Sequence, residues 1–592
     1  MSERENIPHY AGRLRFVLAG FGVATAALLW RVVDLHVFNR DFLQQQGDAR
    51  ALRVVEVPAH RGMITDRMGE PLAISTPVQS VWANPKELAD ARDRWGALCK
   101  VLELDPRWLE RTLSKRQDRE FLYLRRHITP ELAEKVAALE IPGVSLQREY
   151  RRYYPTGEVF SHVVGFTNID DIGQEGIELM HNDWLQGSPG SKRVIKDRLG
   201  RIVENVESIS EPRPGQDLRL SLDRRIQYLA YRELKAAVQR HHARSGSAVV
   251  LDVHTGEILA MVNQPAYNPN NRSDLNPERL RNRAVTDVFE PGSTIKPFTI
   301  AAALESGKYS PDTPIDTGAG FLKVRNLTVR DTHHNGLIDV SRVIQKSSNV
   351  GAATIALNIK PELMWQVFSQ VGFGSMTASA FPGEASGLLS YYTRWREVER
   401  ATLSYGYGLS VTTLQLAQAY SVLADGGLLH PVTFLPTGGA PLDETRVLPR
   451  HVTEQLRTML EMVVSKEGTG ERAGFPGYRV AGKTGTAHKA TGGGYAEDRY
   501  SSVFAGFAPA SNPRLAMVVM IDEPQGRDYY GGLVAAPVFS QVMAGAMRLL
   551  DIPPDDLESL GVKLADGTNV PSATAHDKTA ANRAGNDGRG VL

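Results

Sequence analysis

A long apolar stretch near the N-terminus is the strongest hydrophobic feature of the chain. Positions 16–30 carry no charged side chain, and the apolar character resumes after Arg31 and continues to Phe38, interrupted by Asp34 and His36. A helix over 16–38 would be about 34 Å long, enough to cross the roughly 30 Å hydrocarbon core of a bilayer. Arg31 and Asp34 are three positions apart, so they would share one face and pair near the far interface. The pattern predicts one membrane-spanning helix.

Two other interpretations of this stretch stay open. The small residues Ala24-Thr25-Ala26 resemble the cleavage site of a secretory signal peptide, and a buried helix of a soluble protein has a similar composition. Arg13 and Arg15 precede the stretch, so the positive-inside rule predicts that residues 1–15 form a cytoplasmic tail. Both the anchor and the signal peptide would place the rest of the chain outside the cytoplasm.

The hydrophobic pattern beyond the anchor divides the exported part into two units. Residues 39–215 are predicted to form an elongated α+β N-terminal module, because strand-like and amphipathic helical patterns alternate there. Its predicted elements are a strand at 52–57, a turn at 66–69, a helix-rich segment at 85–142, an ordered loop at 151–165 and a linker at 212–215.

The second unit, over 216–562, is predicted to be an α+β domain in which helices flank an antiparallel sheet. An amphipathic helix over 222–242 is followed by two apolar runs around His254-Thr255-Gly256, which indicates a β-hairpin. Strands at both ends of the unit favour one sheet that joins early and late segments. The late apolar runs predict three strands and a closing helix, at 478–481, 501–508, 514–521 and 533–550.

Composition narrows the function without identifying it. The 592 residues carry a net charge of +1, which argues against a partner held by bulk electrostatics such as duplex nucleic acid. The single cysteine, Cys99, excludes an intrachain disulfide and cysteine-rich metal sites, and is predicted to be a buried small side chain. Residues 563–592 have almost no large apolar side chains and are predicted to be disordered. Lysine is scarce, with 17 against 51 arginines, so a lysine within a chemical motif is informative.

The sharpest chemical motif is the pair Ser293 and Lys296, which follows the turn Pro291-Gly292. At the start of a helix, residues three apart share one face. A lysine whose pKa is lowered by burial or by a nearby cation can take the proton of a serine nucleophile. The helix start also places partial positive charge beside a developing oxyanion. On its own the pair is a weak signal, because about one such match is expected by chance in a chain of this composition, and a capping serine with an incidental lysine explains it better.

Two further motifs favour the chemical interpretation. Ser347-Ser348-Asn349 lies 54 residues after Ser293, and Lys483-Thr484-Gly485-Thr486 lies 136 residues after Ser347. Individually these motifs also fit a polar helix cap and a strand followed by a turn. In this order, in an exported chain, the three motifs are typical of serine acyl-transferases that react with penicillin.

Longer matches extend over roughly residues 15–550. They are Arg61-Gly62-x-Ile64-x-Asp66-Arg67-x-Gly69, Arg152-Tyr153-Tyr154-Pro155-x-Gly157, Thr255-Gly256-Glu257-Ile258-Leu259-Ala260-Met261, Asn268-Pro269-Asn270-Asn271-Arg272, Tyr405-Gly406-Tyr407-Gly408 and Gly531-Gly532 before Ala536-Pro537-Val538-Phe539. With these segments the chain resembles the class B high-molecular-weight penicillin-binding proteins. Glu290 before Pro291-Gly292-Ser293 favours the septal type, penicillin-binding protein 3, over the elongation type.

The resemblance implies a penicillin-binding fold related to the serine β-lactamases and a D-Ala-D-Ala transpeptidase without cofactor or metal. Ser293 would be the nucleophile and Lys296 its base, and Ser347 with Lys483 would deliver a proton to the leaving amine. β-Lactams would acylate Ser293. The substrate-binding residues implied by the motifs are Asn349, Thr484, Gly485 and Thr486, and the oxyanion would be bound by the backbone N–H groups of Ser293 and Thr486.

Three further expectations are less specific. Tyr529 and Tyr530 precede the Gly531-Gly532 turn, where they would either wall the substrate cleft or pack at a sheet edge. The resemblance implies peptidoglycan stem peptides as substrates, other division proteins as partners, and a polytopic glycosyltransferase that contacts the anchor and the N-terminal module. Arg61 and Arg67 would either serve that contact or form salt bridges within the module.

Three alternative functions remain open from the sequence alone. A D,D-carboxypeptidase or β-lactamase would carry the same motifs and resolve the acyl-enzyme with water. A penicillin-responsive sensor or division scaffold would use the site without turnover. A condition-specific paralogue of the main division enzyme would have the same chemistry.

Overall fold

The computed structural model of the protein describes residues 10–41, 52–196, 202–271, 276–492 and 494–560. The chain begins with helix α1, Tyr10–Val33, which continues as one π-helical turn, Asp34–Phe38. Gly12–Phe38 is apolar and long enough to cross a membrane. The predicted apolar helix is confirmed, although it begins before position 16, and Arg31 pairs with Asp34 at 2.7 Å as expected. The tail predicted at 563–592 lies outside the described residues.

Two sheets form the N-terminal module, in the strand orders β1-β6-β7 and β4-β3-β2-β8, with β5 also paired to β3. The strands are β1 (Leu52–Val57), β2 (Ile64–Thr65), β3 (Pro71–Ala83), β4 (Leu122–Ile128), β5 (Val144–Tyr153), β6 (Gly190–Lys196), β7 (Ile202–Ser210) and β8 (Leu218–Arg219). The helices are α2 (Pro85–Asp90), α3 (Trp95–Leu102), α4 (Pro106–Lys115), α5 (Pro130–Ala137), α6 (Ser161–Val164), α7 (Gly176–Met180) and α8 (Asn182–Leu185). Cys99 is buried in the core beside β3, as predicted.

The module differs from its sequence pattern in two places. The segment predicted as helix-rich contains strand β4, and the predicted loop at 151–165 begins with the last three residues of β5. Arg151 and Tyr153 are exposed, whereas Arg152 between them is buried. A hydrophobicity pattern assigns an arginine to the surface, so the pattern around the buried Arg152 indicated a loop from position 151 rather than the last residues of β5.

The second unit contains the elements that carry the candidate site. Its helices are α9 (Arg224–Arg240), α10 (Pro277–Leu280), α11 (Arg283–Thr286), α12 (Lys296–Glu305), α13 (Val340–Gln345), α14 (Asn349–Asn358), α15 (Pro361–Gln370), α16 (Glu397–Leu403), α17 (Thr413–Ala424), α18 (Arg450–Val464), α19 (Gly531–Val534) and α20 (Ala536–Leu549). Its strands are β9 (Ser245–Asp252), β10 (Ile258–Gln264), β11 (Pro314–Asp316), β12 (Phe321–Val324), β13 (Leu327–Arg330), β14 (Leu337–Asp339), β15 (Leu428–Leu429), β16 (Thr445–Arg446), β17 (Ala481–Thr491), β18 (Gly494–Ala508) and β19 (Leu515–Asp522).

One antiparallel sheet of order β10-β9-β19-β18-β17 organises this unit. Residues of β9 and β19 contribute to two apolar cores, one on each face of the sheet. Helices α9 and α20 belong to one core and α12 and α17 to the other. The predicted hairpin and the predicted sheet that joins early and late segments are therefore confirmed, and β17 forms an edge of the sheet within the described residues.

Two late elements differ in detail from the prediction. The strand expected at 478–481 begins only at Ala481 and continues through Gly485, where a turn was one of the interpretations, to Thr491. A Cβ on Gly485 would lie 2.8 Å from the carbonyl oxygen of Pro291, so glycine is needed for close approach rather than for a turn. The predicted closing helix is divided into α19 and α20, which meet at Ala535 just before Pro537.

Candidate active site

Ser293 lies in a single 3₁₀ turn, Gly292–Ile295, that leads into α12. Gly292 has a φ of +54°, and its N–H donates to the carbonyl oxygen of Gly406 at 3.2 Å. A Cβ on Gly406 would lie 2.0 Å from the Gly292 carbonyl oxygen, so glycine at both positions permits this close backbone contact. The turn places Ser293 Oγ 3.0 Å from Lys296 Nζ.

Lys296 is fully buried, and its hydrogen-bond partners among the described residues are neutral oxygen atoms. Its Nζ lies 2.5 Å from the carbonyl oxygen of Ser347, 3.2 Å from Ser347 Oγ and 2.8 Å from Asn349 Oδ1. Burial holds the pKa of Lys296 well below its usual range, the charge of Lys483 lowers that pKa further, and Asp331 opposes both. This surrounding favours the neutral amine, which can accept a proton.

Ser347 is held in a left-handed backbone conformation, with a φ of +58°, immediately before α14. Ser348 caps that helix, because its Oγ accepts from the N–H of Gly351 at 2.9 Å. The conformation is uncommon for a residue with a side chain and directs Ser347 Oγ toward both lysines, with Lys483 Nζ at 2.9 Å.

Asp331 fixes this turn, and the sequence analysis did not identify it. Its carboxylate accepts from Ser348 Oγ at 2.6 Å, from the N–H of Asn349 at 2.6 Å and from the N–H of Val350 at 3.0 Å. Asp331 follows strand β13 in the sequence, in a polar run without a motif. Its role in holding the Ser347 turn becomes evident only because the fold brings its carboxylate to the first N–H groups of α14.

Lys483 lies on the edge strand β17 and is fully buried. Burial lowers the pKa of Lys483 to about 7. Thr484 and Thr486 follow on the same strand, where Thr484 Oγ1 lies 2.7 Å from Thr469 Oγ1 and Thr486 Oγ1 accepts from the N–H of Gly531 at 3.0 Å. The edge strand therefore carries a lysine and two threonine hydroxyl groups within four residues.

Tyr529 and Tyr530 form part of an aromatic stack beside this strand. The Tyr529 ring lies 4.2 Å from Tyr500 and 4.5 Å from Tyr530, measured between centroids. Tyr530 is 46% exposed, so the stack has an open outer surface. Tyr500 comes from strand β18 and was not identified from the sequence, because nothing in the local pattern of β18 indicates which tyrosine faces the site.

Glu290 connects three segments around the nucleophile. Its Oε1 accepts from the N–H of Gly408 at 2.8 Å and from the hydroxyl of Tyr495 at 3.0 Å. Tyr495 belongs to the β17–β18 hairpin, and Gly408 ends the loop that contacts Gly292. Burial raises the pKa of Glu290. Glu290, to which the sequence motifs assign no catalytic role, therefore links the β17–β18 hairpin to the turn that contains Ser293.

Comparison with known proteins matches both units. Residues 246–544 match the penicillin binding protein transpeptidase domain family, and residues 56–220 match the penicillin-binding protein dimerisation domain family. The probable peptidoglycan D,D-transpeptidase PbpC of Pseudomonas aeruginosa is 43% identical over 92% of this chain and 96% of its own length. The peptidoglycan D,D-transpeptidase FtsI of Escherichia coli is 43% identical over 90% of this chain and 91% of its own length.

The chain belongs to the penicillin-binding protein transpeptidase family.

Solved structures agree with this assignment. The transpeptidase domain of penicillin-binding protein 3 from Burkholderia pseudomallei is 45% identical, with a TM-score of 0.53 over 57% of this chain and 97% of that domain. Penicillin-binding protein 3 from Mycobacterium tuberculosis, complexed with aztreonam, is 28% identical, with a TM-score of 0.65 over 84% of this chain and 98% of that one. The predicted class of protein and the predicted fold class are confirmed.

In this penicillin-binding protein Arg61 and Arg67, which were considered as contacts for a partner protein, each lie next to a glutamate of the same chain. Arg61 is buried, and its Nε donates to Glu178 Oε2 at 2.8 Å, so it forms an ion pair within the module and offers no exposed contact surface. Arg67 lies 3.4 Å from Glu257 of the catalytic unit. The interpretation as a salt bridge within the module is therefore confirmed for Arg61, whereas the ion-pair partner of Arg67 lies in the other unit.

Proposed function

We propose that the protein is a peptidoglycan D,D-transpeptidase that acts through an acyl-enzyme on Ser293. The observation that carries this proposal is the 3.0 Å contact between Ser293 Oγ and the Nζ of a buried lysine whose pKa lies well below its usual range. Such an amine is neutral when the hydroxyl needs a base. The similarity to the peptidoglycan D,D-transpeptidase FtsI of Escherichia coli supports the same reaction.

Acylation begins with attack of Ser293 Oγ on the carbonyl carbon of the penultimate D-Ala of a stem peptide. Lys296 Nζ takes the hydroxyl proton as the new C–O bond forms. The N–H groups of Ser293 and Thr486 stabilise the oxyanion of the tetrahedral intermediate. A Cβ placed on Gly292 would lie 3.5 Å from the Thr486 carbonyl group, which shows that the serine turn and β17 are close enough for this arrangement.

Collapse of the intermediate breaks the C–N bond and expels the terminal D-Ala. Its amine receives a proton through Ser347, whose Oγ lies between Lys296 and Lys483. Lys483, Thr484 and Thr486 bind the terminal carboxylate, since an ammonium and hydroxyl groups on one strand edge match that group. Gly485 permits the close approach of β17 to the serine turn, and Asn349 holds the substrate backbone amide.

The acyl-enzyme is resolved by an amine of a second stem peptide. The amine attacks the ester carbonyl, its proton passes to Lys296 and then to Ser293 Oγ, and a new amide cross-links the two peptides. A β-lactam presents a strained amide in place of D-Ala-D-Ala and leaves Ser293 acylated. Tyr529 and Tyr530 wall the cleft on the side of β18.

The anchor and the module define where this reaction takes place. We propose residues 1–15 as a cytoplasmic tail, 16–38 as the membrane anchor, 39–215 as the N-terminal module and 216–562 as a catalytic domain in the periplasm. Arg13 and Arg15, which precede the uncharged stretch at 16–30, support that orientation. The resemblance to the septal type supports a location at the division septum, beside a polytopic glycosyltransferase and other division proteins.

Cross-link formation by the purified full-length protein tests the reaction. The protein is supplied with nascent peptidoglycan that ends in D-Ala-D-Ala, and both cross-linked peptides and released D-Ala are measured. The intact protein is expected to produce both, and Ser293→Ala neither, whereas Ser306→Ala, at the end of the same helix, is expected to match the wild type. Release of D-Ala without cross-links would contradict transpeptidation and indicate a hydrolase. Microscopy of a fluorescent fusion tests the septal location, which a uniform envelope signal would refute.

A further inference from the structure

A cavity of about 1070 Å³ lies in the N-terminal module, outside the catalytic unit. Two strands line it, β1 through Val54–Val57 and β5 through Val144–Arg148. The lining residues are consecutive along both strands. Successive side chains of a strand point to opposite faces, so a cavity that touched only a face would contact every second residue. Consecutive contacts place the edges of β1 and β5 in the cavity.

Both of these edges are free of strand partners in the part of the chain that the structure describes. There β1 pairs only with β6, and β5 pairs only with β3. Each strand has two edges, so the second edge of each presents backbone N–H and C=O groups without a ladder. An unpaired edge is a template for another strand, and proteins usually cover or blunt it. Two such edges on one cavity indicate a site for an additional strand.

The floor of the cavity is aromatic. Phe121 stacks on Trp82 with ring centroids 5.0 Å apart and meets Tyr123 edge-to-face at 4.7 Å. Phe121 is 43% exposed and Val54 is 63% exposed, so large apolar surface remains accessible there. Exposed apolar surface inside a concave site is typical of a surface that binds another protein.

The charges at the cavity define the chemistry of its occupant. Glu56 and Glu140 balance Arg148 and Lys192 among the lining residues, so the site has no net charge. An occupant of low net charge with alternating apolar side chains matches this surface, because backbone hydrogen bonds supply affinity and alternate side chains supply specificity in strand addition.

We propose that this cavity binds an extended segment of another protein, which adds as a strand to the free edge of β5 and reaches β1. Its alternate side chains on one face would lie beside Ser145 and Gln147 and extend over Ser145 toward Trp82, which pairs with Ser145. This site lies apart from the reaction of Ser293, so the proposal does not depend on the proposed activity.

Site-specific photo-cross-linking tests this proposal in the full-length protein in its own cells. A photoreactive amino acid replaces Ser145, Leu146 or Gln147 in turn, with Val206 on β7 as the control position. Mass spectrometry then maps the cross-linked residues. We expect one partner, whose residues marked from Ser145 and Gln147 lie two apart, while the Leu146 probe marks a residue between them. Yields no higher than at Val206, cross-links to a second copy, or marked residues three to four apart as in a helix would overturn the proposal.

A charge placed beside the aromatic floor provides a second test. Ser145 pairs with Trp82 across β3 and β5, so Ser145→Lys directs an ammonium into the cavity, while Ser145→Ala leaves it open. We expect the cross-link yield from the Gln147 probe to fall about ten-fold or more in the Ser145→Lys protein and to be unchanged in the Ser145→Ala protein. Thermal unfolding of both variants checks the fold. Equal yields in two folded variants would refute strand addition at this edge.

Discussion

Each of the two large units of this protein buries a pair of cations, and the surroundings of the two pairs differ. In the catalytic unit, Lys296 and Lys483 contact hydroxyl, carbonyl and amide oxygens. In the N-terminal module, Arg61 and Arg152 both donate to the carboxylate of Glu178, at 2.8 and 2.6 Å. Burial is nearly complete for all five side chains.

The difference shows what separates a reactive buried cation from a structural one. A carboxylate in direct contact compensates the lost hydration of the arginines, so their charge is retained in an ion-pair network. The lysines lack such a contact, and burial lowers the pKa of both. The carboxylate of Asp331 raises the pKa of Lys296 through its charge, and it also holds the turn that contains Ser347.

The largest effect is expected when the reactive cation is made permanently charged. Lys296→Arg keeps a buried cation beside Ser293, but a guanidinium does not accept the serine proton. The rate of acylation by a fluorescent penicillin is expected to fall by about 10³- to 10⁴-fold. Lys308→Arg, just beyond the same helix, should leave the rate unchanged. A loss of less than ten-fold in Lys296→Arg would refute its role as the base.

The converse change removes a structural cation. Arg152→Met leaves the Glu178 carboxylate with one guanidinium, and breaking a buried pair typically costs about 3–5 kcal/mol. We expect the free energy of unfolding in urea to fall by that amount, while the folded fraction is acylated at the normal rate. Arg151→Met, at the exposed neighbouring position, is the matched control and should change stability by less than about 0.5 kcal/mol. Equal losses in the free energy of unfolding for the two substitutions would show that the ion-pair network does not stabilise the fold.

Asp331 both hydrogen-bonds the Ser347 turn and raises the pKa of the buried Lys296. Its neutralisation should lower the acylation rate less than Lys296→Arg does. Asp331→Asn loses the charge-assisted bonds to Ser348 and Asn349, which are worth about 1.5–3 kcal/mol, so acylation is expected to slow by roughly 10- to 100-fold. Asp331 raises the pKa of Lys296, so its removal should also move the acidic limb of the pH–rate profile to lower pH. A purely structural role would slow acylation without that shift. Asp316→Asn is the control.

The sequence motifs identified the candidate reacting groups, but they did not identify all the residues that position those groups. Ser293, Lys296, Ser347, Asn349 and Lys483 carry recognisable spacing, and the structure joins all five through hydrogen bonds. Asp331 and Tyr500 have no motif, since they reach the site through strands that are distant in the sequence. Their roles depend on tertiary contacts that periodicity does not encode.

The fold could be predicted where the buried residues are apolar. It was harder to predict where a buried residue is an arginine in an ion pair or a glycine in close packing. The hairpin of β9 and β10 was evident from its apolar runs. The end of β5 was missed because Arg152 faces inward, where Glu178 compensates its charge. The run of β17 past Gly485 was ambiguous because that glycine serves packing against Pro291 rather than a turn.

The pH dependence of Ser293 acylation tests most directly whether Lys296 is a neutral base. The second-order rate constant with a penicillin is measured from pH 5 to pH 10 on the full-length protein. Because the pKa of Lys296 lies well below its usual range, the rate should stop rising well before the pH at which an ordinary lysine loses its proton. Because the pKa of Lys483 is about 7, the rate should fall above that pH as loss of the Lys483 charge weakens carboxylate binding. A rate that climbs about ten-fold per pH unit from 7 toward 10 would be that of an ordinary lysine, and it would contradict the account.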